Sequence, residues 1–215
     1  MGPIRLRPLV VAAATVWILS LAAAFVVPTA DRADFATRQT ARVAVVFWGL
    51  AVGVLLAHGS RMVARWLWTL GVAAFVVHVA TAFASIHGWS HSAAFDHVEI
   101  VSGFGPGIFI SYAFSLLWIG DAVWWWLNRT SYDHRPTSVT SSLHAFMAFI
   151  IFNGTVVYET GAVRWVGAMM FAVLAGLVVR RKATPSPASS LFEPKSPLSG
   201  RRTASARPSG GSPTP

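Results

Sequence analysis

Apolar residues in this chain gather into long runs, separated by short polar stretches that carry most of the arginines. A hydrocarbon core about 30 Å thick is crossed by about 20 apolar residues of helix. Six runs approach that length: Leu9–Val27, Val43–Ala57, Trp66–Ile86, Ile108–Trp126, Ser138–Tyr158 and Val163–Val179. The second and sixth are short, so they would extend by a turn, tilt less or sit where the bilayer thins. Five spans is the alternative count. The pattern predicts an all-α integral membrane protein, a bundle of about six transmembrane helices over residues 1–182.

The first run raises a separate question, because Met1–Pro8 with Arg5 and Arg7 looks like the start of a signal peptide. Signal h-regions are about 7–15 residues long and end at a small-x-small site. Here the run is longer, Ala22–Ala24 lies inside it, and Pro28 spoils the later Pro28-Thr29-Ala30 option. An uncleaved helix is expected.

Composition agrees with the spans. The 215 residues are 54% hydrophobic and only 12% charged, where a soluble domain is about a quarter charged. A soluble single-core enzyme, a disordered regulator and a secreted disulfide scaffold are excluded. Cysteine is absent, which removes thiolate nucleophiles, iron–sulfur clusters and Cys-type zinc sites. The formal charge of +9 is concentrated near the C-terminus, and no basic helix or aromatic platform suited to nucleic acid is present. No nucleic-acid partner is expected; the lipid bilayer is.

Lys and Arg are retained on the cytoplasmic side of membrane proteins. With the N-terminus inside, Arg5, Arg7, Arg61, Arg65, Arg129, Arg135 and seven residues from Arg180 onward fall inside, thirteen in all. Only Arg32, Arg38, Arg42 and Arg164 fall outside. Both termini are therefore expected in the cytoplasm. Trp66, Trp68 and Trp124-Trp125-Trp126 fall at the inner boundaries, where indole rings favour the interface. Beyond Lys182 the chain is rich in Pro, Ser, Gly and Arg, so residues 183–215 are expected to form a disordered tail. Its basic residues would touch anionic lipid at about 1 kcal/mol each, or simply fix the topology.

Ionisable groups inside a bilayer are costly and default to functional hypotheses. Here they are His78, Asp121 and His144, with Asn153 as an uncharged companion. His78 shares a helical stripe with Gly71, Ala74, Ala82 and Ser85, flanked by Thr81, and small residues allow close helix approach. The other side carries Leu67, Val76, Phe83 and His87. His78 is thus expected to face the bundle, and His144, in line with Thr137, Ser141, Ala148 and Thr155, likewise. The two helices also share a His-x3-Ala-Phe pattern at an offset of 66, which would let both histidines serve one interior. Each is a candidate metal or haem ligand, a proton relay or an interhelical hydrogen-bonding group. Asp121 is expected among indole N–H groups or paired with His144.

The stretch His87-Gly88-Trp89-Ser90-His91 continues to Asp96-His97-Val98-Glu99. On a continuing helix His87 and His91 would share a face, as two metal ligands need. Asp96, His97 and Glu99 would add donors, and Zn, Cu or non-haem iron would suit such a set. Gly88 is the competing signal, since it would end the helix. Gly103-Phe104-Gly105-Pro106-Gly107 follows no strand and is expected to be a flexible re-entry into the next span rather than a phosphate loop. No catalytic nucleophile motif is present.

The blocks H-x3-A-F, H-x-W-S-H, G-F-G-P-G-I-F and L-W-I-G-D-A-V-W-W-W, in order from His78 to Trp126, resemble an uncharacterised bacterial family of small multi-pass membrane proteins. The segment His144–Gly154 is similar to it as well. The resemblance implies a bacterial cell membrane and no chemistry. Three classes of function stay open. They are a non-enzymatic membrane subunit or accessory protein, with a membrane-protein partner or a second copy; a metal- or haem-binding protein; and a small transporter.

Overall fold

The structure, a computed structural model, describes residues 3–183, with side chains from Pro8 onward. The expected disordered tail and its lipid contact lie outside the described residues beyond Ala183. Every regular element described is helical: α1 (Pro3–Val26), α2 (Arg32–Leu56), α3 (Arg61–Ser85), α4 (His91–Ser102), α5 (Gly107–Leu127), α6 (Arg129–Asp133), α7 (Thr137–Phe152) and α8 (Gly161–Ala183). A π-turn, Asn153–Val157, continues α7. Among the described residues, six helices are long and apolar enough to cross a membrane: Pro8–Val26 of α1, α2, α3, α5, Thr137–Val157 and α8. The chain is an all-α, multi-pass membrane bundle.

Six crossings bring the start of α1 and the end of α8 to one end, with the α2–α3 turn and α6. We call this the terminal end. The far end carries the α1–α2 turn, α4 and the α7–α8 turn.

Short polar side chains start the helices. The Asp31 carboxylate accepts from the Asp34 amide (3.0 Å), Ser60 from Val63 (3.5 Å), Ser90 from Ala93 (3.3 Å) and Asn128 from Ser131 (2.9 Å), each satisfying an otherwise orphaned first-turn N–H. The first of these corrects an expectation. The second span begins at Arg32, not Val43, because charges placed in a loop pair along a helix instead. Arg38 bridges Asp34 one turn away at 2.8 Å, and Arg38 and Arg42 reach Glu159 at 3.6 and 3.8 Å. The sixth span likewise extends to Gly161–Ala183.

The core lies along α3, which packs closely on α2 and also touches α1 and α5. Gly71 permits this. A Cβ there would sit 2.9 Å from the Trp118 ring and 3.3 Å from the Trp48 backbone nitrogen. Trp48, Trp68 and Trp118 are fully buried around it, and the Trp17 indole of α1 donates to the Leu70 carbonyl at 2.8 Å. Two expectations change here. Trp68 and Trp125 belong to the core rather than to an interfacial belt; Trp66 and Trp126, in edge contact at 4.9 Å, lie nearer the surface. The face of α3 opposite His78 is not uniformly lipid-facing either: Leu67 is buried, Phe83 is half-buried and only Val76 is exposed (47%). A central helix with neighbours on several sides buries more than one stripe.

Helices α7 and α8 are packed more openly. Their buried residues are few: Met147 and Ile151 on α7, Gly167 and Leu174 on α8. Met170 lies over Gly49, and the rings of Phe171 and Trp48 are 5.9 Å apart. Long side chains thus hold α8 off α2.

Candidate functional site

The space between these helices is a cleft of about 940 Å³ at the terminal end, walled by α2, α7 and α8. Its deeper wall is apolar, with Trp48, Leu55, Phe171 and Leu174. Its mouth carries Arg61 and Arg181 together with the hydroxyls of Thr137, Thr140 and Ser141, with Arg135 buried beneath them. Pockets of this size between helices, largely apolar with a few convergent polar groups, are where membrane bundles hold ligands.

A network beneath the mouth shapes it. Asp121, on α5, is buried and forms an ion pair with Arg135. The Tyr132 hydroxyl donates to the second carboxylate oxygen at 3.0 Å, and Arg135 Nε donates to Thr140 Oγ1 at 2.9 Å. The guanidinium also lies over the Tyr132 ring, 4.0 Å from its centroid, and that ring stacks on Trp125 at 4.7 Å. Burial pushes the Tyr132 phenol up from its ordinary value, and the adjacent carboxylate adds to the effect. Asp121 is therefore held neither by indole N–H groups nor by His144, as the sequence had suggested. A carboxylate buried this deeply needs a full counter-charge, and the short loop after α6 delivers one. Sequence reasoning missed Arg135, although a basic residue a short loop beyond an intramembrane acid is itself a signal.

His144 lines the same cleft. Its ring is edge-on to Trp68 at 5.3 Å, and its buried Nδ1 has no hydrogen-bond partner among the described residues. His78 sits elsewhere. It lines a smaller cavity of about 280 Å³ toward the far end, with Phe75, Phe114, Trp118 and Tyr112. Its Nδ1 donates to the Thr37 carbonyl at 2.9 Å. Because a carbonyl only accepts, this bond assigns the proton to Nδ1. The two histidines thus do face the bundle, but they line different cavities and share no ligand position. Asn153 donates to the Phe149 carbonyl of its own helix at 2.7 Å, which accounts for its cost in the membrane.

The far-end cluster differs from the expected single helical face. Helix α3 ends at Ser85, Gly88 and Trp89 both adopt positive φ (56° and 60°), and α4 starts at His91. His87 and His91 therefore belong to different elements. His91 Nδ1 hydrogen-bonds the Tyr112 hydroxyl at 2.8 Å, whereas the His87 ring meets that of His97, centroids 5.1 Å apart. Asp96 and Glu99 are exposed, and among the described residues no three His, Asp or Glu side chains converge as a metal site. The glycine-rich stretch is a tight turn rather than a flexible one. Gly103 ends α4 at φ +73°, and the Gly107 amide donates to the Phe104 carbonyl at 3.0 Å.

No family model, no curated protein and no solved structure matches this chain.

Proposed function

We propose that this chain is a non-enzymatic membrane protein that holds an anionic amphiphile, headgroup toward the arginines and tail toward α8. The observation that carries this reading is the cleft itself, which joins a cationic, hydroxyl-lined mouth to apolar helical walls within one space. Arg135 is neutralised by Asp121 and Arg61 pairs with Asp133, so the mouth is a hydrogen-bonding surface with a small positive excess, suited to a phosphate-type headgroup. The open packing of α8 gives a tail a lateral path from the bilayer. The Lys/Arg asymmetry supports a cytoplasmic terminal end, where anionic lipids reside. The family resemblance supports a bacterial cell membrane as its location.

The test is reconstitution into nanodiscs of phosphatidylcholine with and without phosphatidylglycerol, read by native mass spectrometry. Phosphatidylglycerol should be retained, and Arg61→Gln with Arg181→Gln should weaken it about tenfold or more, at about 1 kcal/mol per arginine. Glycerol phosphate without acyl chains should compete poorly, because the deeper wall of the cleft is apolar. Equal retention of both lipids would overturn the proposal.

A further inference from the structure

The far end offers a second place for chemistry, independent of the cleft. His87 follows the last turn of α3 and His97 lies on α4, and their rings meet edge to face with centroids 5.1 Å apart. Two imidazoles bound to one tetrahedral ion, at about 2.0–2.1 Å per nitrogen, have centroids about 5 Å apart. The turn that separates His87 from His91 is what brings His87 to His97. Positive φ at both Gly88 and Trp89 turns the chain between α3 and α4. Other histidines are committed elsewhere: His91 to Tyr112, His78 to the Thr37 carbonyl and His134 to the Thr130 carbonyl. Among the described residues no hydrogen bond engages the His87 or His97 ring. Burial and the neighbouring His97 hold the His87 imidazole below its ordinary value, which keeps its lone pair available at neutral pH.

We infer that His87 and His97 form an open two-imidazole site for a late divalent transition metal, bridging the end of α3 to α4. Two protein nitrogens leave the remaining coordination positions to water, so the ion exchanges readily, unlike a closed structural zinc. Imidazole donors favour Cu(II) over Zn(II) and disfavour Mg(II). A metal joining two elements stabilises the folded state by mass action, so binding should raise the unfolding temperature.

The full chain, purified in detergent without a histidine tag, would be titrated with Cu(II), Zn(II) and Mg(II) by calorimetry. Saturable binding of one Cu(II) per chain, weaker for Zn(II) and absent for Mg(II), is expected. His87→Gln and His97→Gln should each abolish it, while His91→Gln and His134→Gln should leave it unchanged. Electron paramagnetic resonance of the Cu(II) form guards against misfolded variants, because coupling to two imidazole nitrogens is expected in the unaltered protein. Cu(II) binding that survives the double replacement, coupling to none or one nitrogen, or no saturable binding at neutral pH would overturn the inference.

Discussion

A carboxylate on a membrane helix costs free energy unless something fully compensates it, and Asp121 is compensated three ways at once. Arg135 supplies the charge, Tyr132 a hydrogen bond and Trp125 the stacked platform that holds Tyr132 in place. Removing one partner of a buried pair leaves the other uncompensated, at about 3–5 kcal/mol. Arg135→Leu should therefore lower thermal stability in detergent strongly, and adding Asp121→Leu should restore much of the loss. A double replacement as damaging as the single one would show that the pair is not what matters. Tyr132 adds a pH signature. Its phenol is raised by burial and by Asp121, so the folded state holds that proton more tightly than the unfolded chain does. Its contribution is fully present below the ordinary phenol value near 10 and is lost as pH climbs above it. The unaltered protein should lose stability above about pH 10 more steeply than Tyr132→Phe, as thermal scans at several pH values would record.

Among the elements, the spans were legible because bilayer thickness is written into the length of each apolar run. Starts that rest on paired charges were harder to read. Arg38 looks like loop material until Asp34 and Glu159 are seen to neutralise it. Helix α4 was missed because its signals are local and brief, a Ser90 cap and a left-handed Gly103, within a stretch whose histidines suggested chemistry first. The stripe of small residues on α3 was read correctly at Gly71, where a Cβ would come within 3.3 Å of the α2 backbone. Gly71→Ala should force the Trp118 ring or the α2 backbone to shift and cost about 1–3 kcal/mol. Gly120→Ala is the matched control, since a Cβ there meets nothing within 4 Å and alanine is the better helix former. Similar unfolding temperatures for the two variants would refute close packing of α3 against α2 and α5.

At the scale of the whole molecule, the candidate site was only partly legible. Polarity marked His144 and Asp121 as residues needing an explanation, but the cleft arises from how far α7 and α8 stand from α2. No single helix encodes that distance; it depends on Met170 meeting Gly49 and Phe171 meeting Trp48. Orientation, by contrast, is a property of the entire chain that charge alone predicts. Thirteen of the 17 Lys and Arg residues belong to the terminal end and the segments that continue from it, with four at the far end. This asymmetry predicts that the cleft faces the cytoplasmic leaflet and His87 with His97 the outer surface. Reporter fusions after Arg65 and after Lys182 should read cytoplasmic, and one after Trp89 external. A cytoplasmic signal after Trp89 together with external signals at the other two would invert the bundle. The arginine-lined mouth would then face the leaflet poorer in anionic lipid, and the amphiphile proposal would lose its electrostatic basis.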